Sequence, residues 1–404
     1  IQNLDHISFI KNEFTNDINT QDVFKIRLLC STTTYELKGV VKSESYYKLS
    51  DFENVFSSSN VVDYSEFNTS PSGSDTQLRI VEQGRKLYYN DDLLLPLPFG
   101  QLGKYAIIYE DYLLAFTPEL VTNIYGAKLA NSDLINSGYV NFSDLNWWVP
   151  SGVTKYRNST ESMSFVQNRF MMPLEFTDAL NSKTKIEYYS NYFLFIEKIT
   201  DELGNEDFVE KFNFRTLTPQ RIRDENDNIS EVLTDELGAI KAFAVFGKGS
   251  EGDNLIGLAE NSDVETADIQ LIFNSTPSNI ISNSKNLLKN ASVRIVRGLD
   301  NYLNSGNPVV TYTIQRENYS ATNPDSAVQI KVEYLDGSGE VILSKIQAEP
   351  GLAKIINVNP DDTYTITEVD TSPNLRWVGT GRVIKNNKGN IIKQFEPYFS
   401  VTHN

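Results

Sequence analysis

A chain of 404 residues, 40% hydrophobic and 22% charged, is long enough for two or three domains and apolar enough to bury a substantial core. Its 36 Lys and Arg against 53 Asp and Glu give a net charge of −17 with no basic block, which argues against nucleic acid and anionic membranes as partners. One cysteine, Cys30, excludes an internal disulfide framework, and two histidines, His6 and His403, leave almost nothing for a Ser/His or Cys/His catalytic pair.

From the first residue to about residue 90 the pattern is β: Val23 to Leu29, Thr34 to Val41 and Gln77 to Val81 are strand-prone, and the Ser/Asn/Asp-rich run Ser57 to Asp75 is a loop. Arg27 to Ser31 reads as strand, so Cys30 is expected as a buried structural thiol. The proline-broken apolar stretch Leu93 to Gly103 fits neither a central strand nor a helix, because each proline removes a backbone donor, and is expected to cross or plug something. A short helix is predicted over Pro118 to Tyr125, with Thr117 as its N-cap. Trp147 and Trp148 follow. Adjacent indoles could form a sugar-stacking platform, but strand neighbours face opposite sides, which favours one ring packed on each face.

Beyond residue 150 a phrase repeats. Thr200-Asp201-Glu202-Leu203-Gly204 returns as Thr234-Asp235-Glu236-Leu237-Gly238, with looser copies at Asp178 and Asp224. Asp178, Asp201 and Asp224 are spaced by 23 residues, and Asp235 comes 11 later. An apolar residue stands two before each, and Asn181, Gly204, Asp227 or Gly238 stands three after. Those residue types tolerate a left-handed backbone, so each copy predicts a hairpin turn. Further copies lie at Asp336 to Gly339 and Asn386 to Gly389. After Gly204, Phe208, Phe212 and Phe214 are expected on one strand face, with Val209, Lys211 and Asn213 on the other. Stacked hairpins of this kind imply an extended or curling sheet.

The hairpin block occupies 151–252 in a division whose first part is the β-rich region 1–150. Residues 253–306 change period: Thr266 to Phe273 and Asn279 to Leu288 have helical spacing, with Ser278 available as a cap, so two or three short helices are inserted. Strands return over 307–404, through Val328 to Tyr334, Val341 to Gln347, Tyr364 to Val369 and Arg376 to Ile384. The chain opens without Met and stops in strand-like sequence, as expected of an interior piece of a longer polypeptide that is aggregation-prone alone.

Three residue groups invite a functional reading. Asp224, Asn226, Asn228 and Asp235 partly mimic a calcium loop, but Ile229 stands where that loop needs glycine, and a turn is the favoured reading. The pairs Asp91-Asp92 and Glu110-Asp111 offer carboxylates of the kind glycosidases use, with nothing marking them as partners. Arg294 and Arg376, among apolar neighbours, predict structural ion pairs.

In order along the chain, these phrases resemble the RHS/YD-repeat shell of the B component of bacterial insecticidal toxin complexes (Tc toxins) and SpvB-linked RHS proteins. The resemblance is carried by Leu97-Pro98-Phe99-Gly100-Gln101-Leu102, Tyr112-Leu113-Leu114-Ala115-Phe116-Thr117-Pro118, Gly138-Tyr139-Val140, Trp147-Trp148-Val149-Pro150-Ser151-Gly152 and the Asp201 and Asp235 turns, the latter leading into Phe246-Gly247-Lys248. It continues through Asn290 to Val296, Lys345-Ile346-Gln347-Ala348-Glu349-Pro350-Gly351, Arg376-Trp377-Val378-Gly379-Thr380-Gly381 and Phe395-Glu396-Pro397-Tyr398-Phe399-Ser400. Thr-Asp dominates here where that family's turns often carry Tyr-Asp.

The resemblance implies a mainly β fold spiralling into a hollow cocoon, a non-catalytic wall that encloses a toxin or effector polypeptide before delivery. Asp178, Asp201, Gly204, Asp235, Gly238, Asp336 and Gly339 would then be structural turn residues, and Trp147, Trp148 and Trp377 structural aromatics. The expected partners are the rest of the same polypeptide, an enclosed C-terminal toxin segment and a pore-forming or secretion-system component. No cofactor, metal, nucleic acid or membrane insertion is expected, and the protein belongs outside the bacterial cell, secreted or on its surface. A family docking propeller would precede Ile1, and the self-cleavage site and toxin would follow Asn404. The alternative is a surface β-repeat adhesin or carbohydrate-binding module.

Overall fold

A computed structural model describes residues 7–63, 66, 75–142, 144–247, 252–359 and 363–404. The chain is mainly β and divides into two compact units, Ile1–Glu206 and Asp207–Asn404, a boundary that falls inside the repeat block.

In the first unit an open sheet runs in the order Ile7–Phe14, Leu29–Lys38, Gln77–Tyr88, Ile108–Phe116, Trp147–Pro150, Val140–Asn141, antiparallel throughout, with Asn60–Val62 lying parallel to Gln77–Tyr88. Leu29–Lys38 forms because its β-branched and aromatic residues alternate, burying Ser31, Thr33, Tyr35 and Leu37 on one face. Tyr35 and Leu37 then pack on Val55 and Leu78. A second cluster joins Cys30, Tyr88 and Leu102, and a third Tyr89, Leu93 and Val166. Short strands Val153–Lys155 and Glu175–Thr177 lead into the hairpin Lys183–Tyr189 and Tyr192–Thr200.

Several boundaries differ from those expected. Val23 to Leu29 yields only the two-residue strand Phe24–Lys25, and the long strand starts at Leu29. Gln77 to Val81 extends to Tyr88. Of the run Ser57 to Asp75, Ser57 and Ser58 end the helix Val55–Ser58 and Asn60–Val62 is a strand, while residues 64–65 and 67–74 lie outside the described residues. The proline-broken stretch makes no strand: Pro96 forms one isolated bridge to Tyr89, and Leu93 turns inward with φ +54°.

The second unit is built on the antiparallel ladder Thr218–Arg223, Ile229–Thr234, Ile240–Phe246, Val293–Gly298, Val309–Arg316, Val328–Leu335, Val341–Ala348, Arg376–Thr380. Tyr398–Ser400 follows, then the hairpin Leu352–Val358 and Tyr364–Asp370. Arg376 to Ile384 is broken after Thr380, and Gly381 has φ +75°.

Between Ile240–Phe246 and Val293–Gly298 are the helices Thr266–Phe273 and Ile280–Leu288, and Asn301–Ser305 is a third. Ile280, Ser284, Leu287 and Leu288 recur at helical spacing and form the buried stripe of the second. With Ile272 they cover Val296, Tyr312, Ile314, Ile330 and Val332 of the ladder. Full burial of each such aliphatic side chain stabilises the unit by ~1.5–3 kcal/mol. Ser278 is not the cap. Its hydroxyl pairs with Thr276, and Asn279, the N-cap residue, turns its carbonyl oxygen back to the Thr276 amide at 2.7 Å.

The face expected after Gly204 does not hold. Asn213 is buried and Phe214 exposed, because the strand Glu206–Asn213 ends there and Phe214 lies in the turn 214–217 that leads to Thr218–Arg223.

Candidate functional site

Six chain reversals share one construction. At Asp201 the backbone amide donates to the Asn205 carbonyl at 3.0 Å, the Gly204 amide returns to the Asp201 carbonyl at 3.2 Å, and Asp201 Oδ1 accepts from the Leu203 and Asn205 amides at 2.9 and 2.8 Å. The same four bonds recur at Asp178, Asp224, Asp235, Asp336 and Asn386. The third residue after each is left-handed: Asn181 +66°, Gly204 +85°, Asp227 +61°, Gly238 +90°, Gly339 +85°, Gly389 +79°. The side-chain oxygen substitutes for solvent at amides that the tight turn leaves unpaired; those amides hold the Asp201 carboxyl below its ordinary range, and the Ser338 hydroxyl, then its amide, do the same for Asp336. Asp224 is engaged in this way too, its second oxygen accepting from Asn228 Nδ2 at 3.0 Å. Among the described residues no group of three His, Cys, Asp or Glu side chains is spaced to hold a metal ion.

The carboxylate pairs are separately engaged. Glu110 is buried, accepting from the Tyr112 hydroxyl at 2.5 Å and the Gly152 amide at 3.1 Å, while Asp111 is in an ion pair with Lys86 at 2.9 Å. Asp91 accepts from the Lys104 amide at 2.8 Å, and Asp92 lies 3.6 Å from Arg157. Burial first, then the Glu110 carboxylate, pushes the Tyr112 phenol up, so that bond has the phenol as donor. Cys30 is buried, and burial followed by the Glu13 charge raises its thiol; a raised thiol is a poor nucleophile.

Trp147 and Trp148 are 5% and 0% exposed, so neither presents a platform to a sugar. Trp148 lies under the Arg85 guanidinium at 4.2 Å, which Asp144 pairs at 2.6 Å. Trp377 is fully buried. The two arginines expected in ion pairs find other partners. Arg294, 4% exposed, reaches the Lys241 carbonyl at 3.4 Å, and burial lowers its pKa. Arg376 donates to the Leu352 carbonyl at 2.8 Å and lies 3.6 Å over Phe399. Among the described residues neither arginine is in a salt bridge, and the Asp268 charge only weakly offsets the effect of burial on Arg294.

Sequence reasoning missed the site around the last residues. The strand Tyr398–Ser400 ends, residues 401 and 402 bend, and His403 enters the core at 0% exposure between Tyr312 and Trp377, ring centroids 5.8 and 5.5 Å away. The terminal sequence is therefore not in mid-strand. Tyr334 donates to the His403 carbonyl at 2.5 Å, and Lys345 to the Thr402 and Asn404 carbonyls at 3.2 and 2.5 Å. Among the described residues neither ring nitrogen makes a hydrogen bond of ordinary geometry, although the Ile272 backbone lies near the ring. Burial first, then the Lys345 charge, hold His403 down to about 4, against a weaker opposing influence from the Ile272 backbone. Burial, then Arg382, brings Lys345 down to about 8. His6 lies outside the described residues.

No protein-family model matches the sequence, and no curated protein matches it. Solved structures do. The crystal structure of TcdB2-TccC3 superimposes with a TM-score of 0.71 at 19% identity, over 98% of this chain and 18% of that one. Those of TcdB2-TccC3-Cdc42 and of TcdB2-TccC3 without its hypervariable C-terminal region give TM-scores of 0.70 and 0.69 at 18% and 16% identity, again over 98% of this chain. The chain thus shares the fold of part of these chains and spans about a fifth of their length.

Proposed function

We propose that this chain is a section of the wall of a toxin-complex shell, a non-catalytic β structure that encloses and protects a toxin or effector polypeptide before delivery. The observation that carries this is the likeness to TcdB2-TccC3 along 98% of the chain. The turn chemistry supports it: six reversals of one design let antiparallel strands follow each other with few unpaired backbone groups, which suits a barrier. The engagement of each candidate carboxylate in local structure and the raised Cys30 thiol support a wall without chemistry of its own. Its partners on this reading are the rest of the same polypeptide, an enclosed C-terminal segment and a pore-forming or secretion-system component, acting outside the bacterial cell. Among the described residues no helix is long and apolar enough to cross a membrane.

Limited proteolysis of the intact protein tests the reading. A cargo segment should survive at protease concentrations that destroy it once the wall is opened by denaturant. A segment cut equally fast in both states would contradict enclosure.

A further inference from the structure

In the ladder of the second unit, the reversals after Ile229–Thr234, Val293–Gly298 and Val328–Leu335 lie at one end, since antiparallel neighbours alternate direction. Turn tips normally carry polar residues. Here Leu237 is 87% exposed, Leu303 81% and Tyr302 64%. Single exposed apolar residues need no explanation, but contiguous ones along a cleft mark interaction sites. Leu299, Tyr302, Leu303, Pro308 and Ile342 line one cleft of ≈ 530 Å³. A second, of ≈ 310 Å³, shares Leu299 and has Phe273 and Ile269 in its wall.

Carboxylates outnumber cations along this rim. Asp235, Asp263 and Asp300 border the smaller cleft and Asp336 the larger, and among the described residues none of the four is in a salt bridge. The cations of the smaller cleft are turned to the protein: Lys241 is 2% exposed and donates to Ser262, and Arg297 donates to the Ile240 carbonyl at 2.7 Å. An apolar floor beside carboxylates that keep their charge while Asp235, Asp263 and Asp336 accept local amides selects apolar side chains flanked by basic ones, by burial and by charge complementarity.

We propose that this rim docks a partner polypeptide whose contact segment alternates apolar and basic side chains. It is independent of whether the wall encloses a cargo.

The test uses the intact protein and three short fluorescein-labelled peptides, alternating Leu-Lys, Leu-Glu and Ser-Lys, followed by anisotropy at about 0.15 M ionic strength. The Leu-Lys peptide should bind best. Leu303→Ser combined with Tyr302→Ser, both on the surface, should weaken it about tenfold, and Asp300→Lys should weaken it by about threefold. Equal binding of either control peptide, no binding, or an affinity unmoved by the double variant would overturn the proposal. So would binding to phosphatidylcholine vesicles that Leu303→Ser abolishes, since that assigns the rim to lipid.

Discussion

Acid should loosen the second unit through one residue. His403 is fully buried beside Tyr312, Trp377 and the Lys345 amine, with its pKa held down to about 4 against an ordinary 6.5. The unfolded chain therefore takes up the proton first as pH falls. Stability is complete above the unfolded value, declines through the interval and levels off below the folded one. That gap corresponds to ~3.4 kcal/mol in full, and to about 2 kcal/mol lost between pH 7.5 and pH 5. Replacing His403 by leucine, of similar volume, removes both the titration and two ring nitrogens without a hydrogen bond of ordinary geometry, so it should be neutral or stabilising at pH 7.5. Urea denaturation of both proteins at pH 7.5 and 5 reads the difference. Carboxylates lowered by hydrogen bonds, such as Asp201 and Asp336, also lose stability in acid, but equally in both proteins. An unchanged pH slope in His403→Leu would refute the reasoning.

Other perturbations follow from the geometry. Gly204→Val, at φ +85°, should cost ~1 kcal/mol or more, and Asp201→Ala, which removes the acceptor for two turn amides, should lower stability measurably, both by urea denaturation. Gly298→Ala should cost ~1–3 kcal/mol, because the added methyl would fall inside the Phe273 ring; a null result would mean the helix Thr266–Phe273 gives way freely. Trp148→Ala should cost ~3–5 kcal/mol and uncover Arg85, seen as lost cooperativity in the first unit. Purified protein should hydrolyse no peptide, glycan or nucleotide, and turnover abolished by substituting Asp91 or Glu110 would overturn the view of an inert wall.

Features set by neighbours in the chain were the most readable. Asp201 and Gly204 act within one turn, so residue type and spacing specify the reversal, and the alternation of Thr266–Phe273 with polar residues marks a helix at the observed limits. Features set across the chain were not readable. The end of Glu206–Asn213 depends on where the chain turns back to pair with Thr218–Arg223, and it leaves Phe214 in the turn, off the face assigned to it. Arg294 looked like half of an ion pair because sequence shows neighbours in the chain, whereas its partner is the carbonyl of Lys241 on the adjacent strand. His403 carried no local signal for burial. It is held inward by Tyr334, which donates to its own carbonyl, and by Lys345, which donates to the carbonyls on either side, both far off in sequence.

Imaging the intact protein by single-particle electron microscopy tests the central claim most directly. A section of enclosing wall predicts a hollow ovoid, with this chain fitted into its side and density for a polypeptide within. A solid rod or a compact particle without a lumen would contradict it.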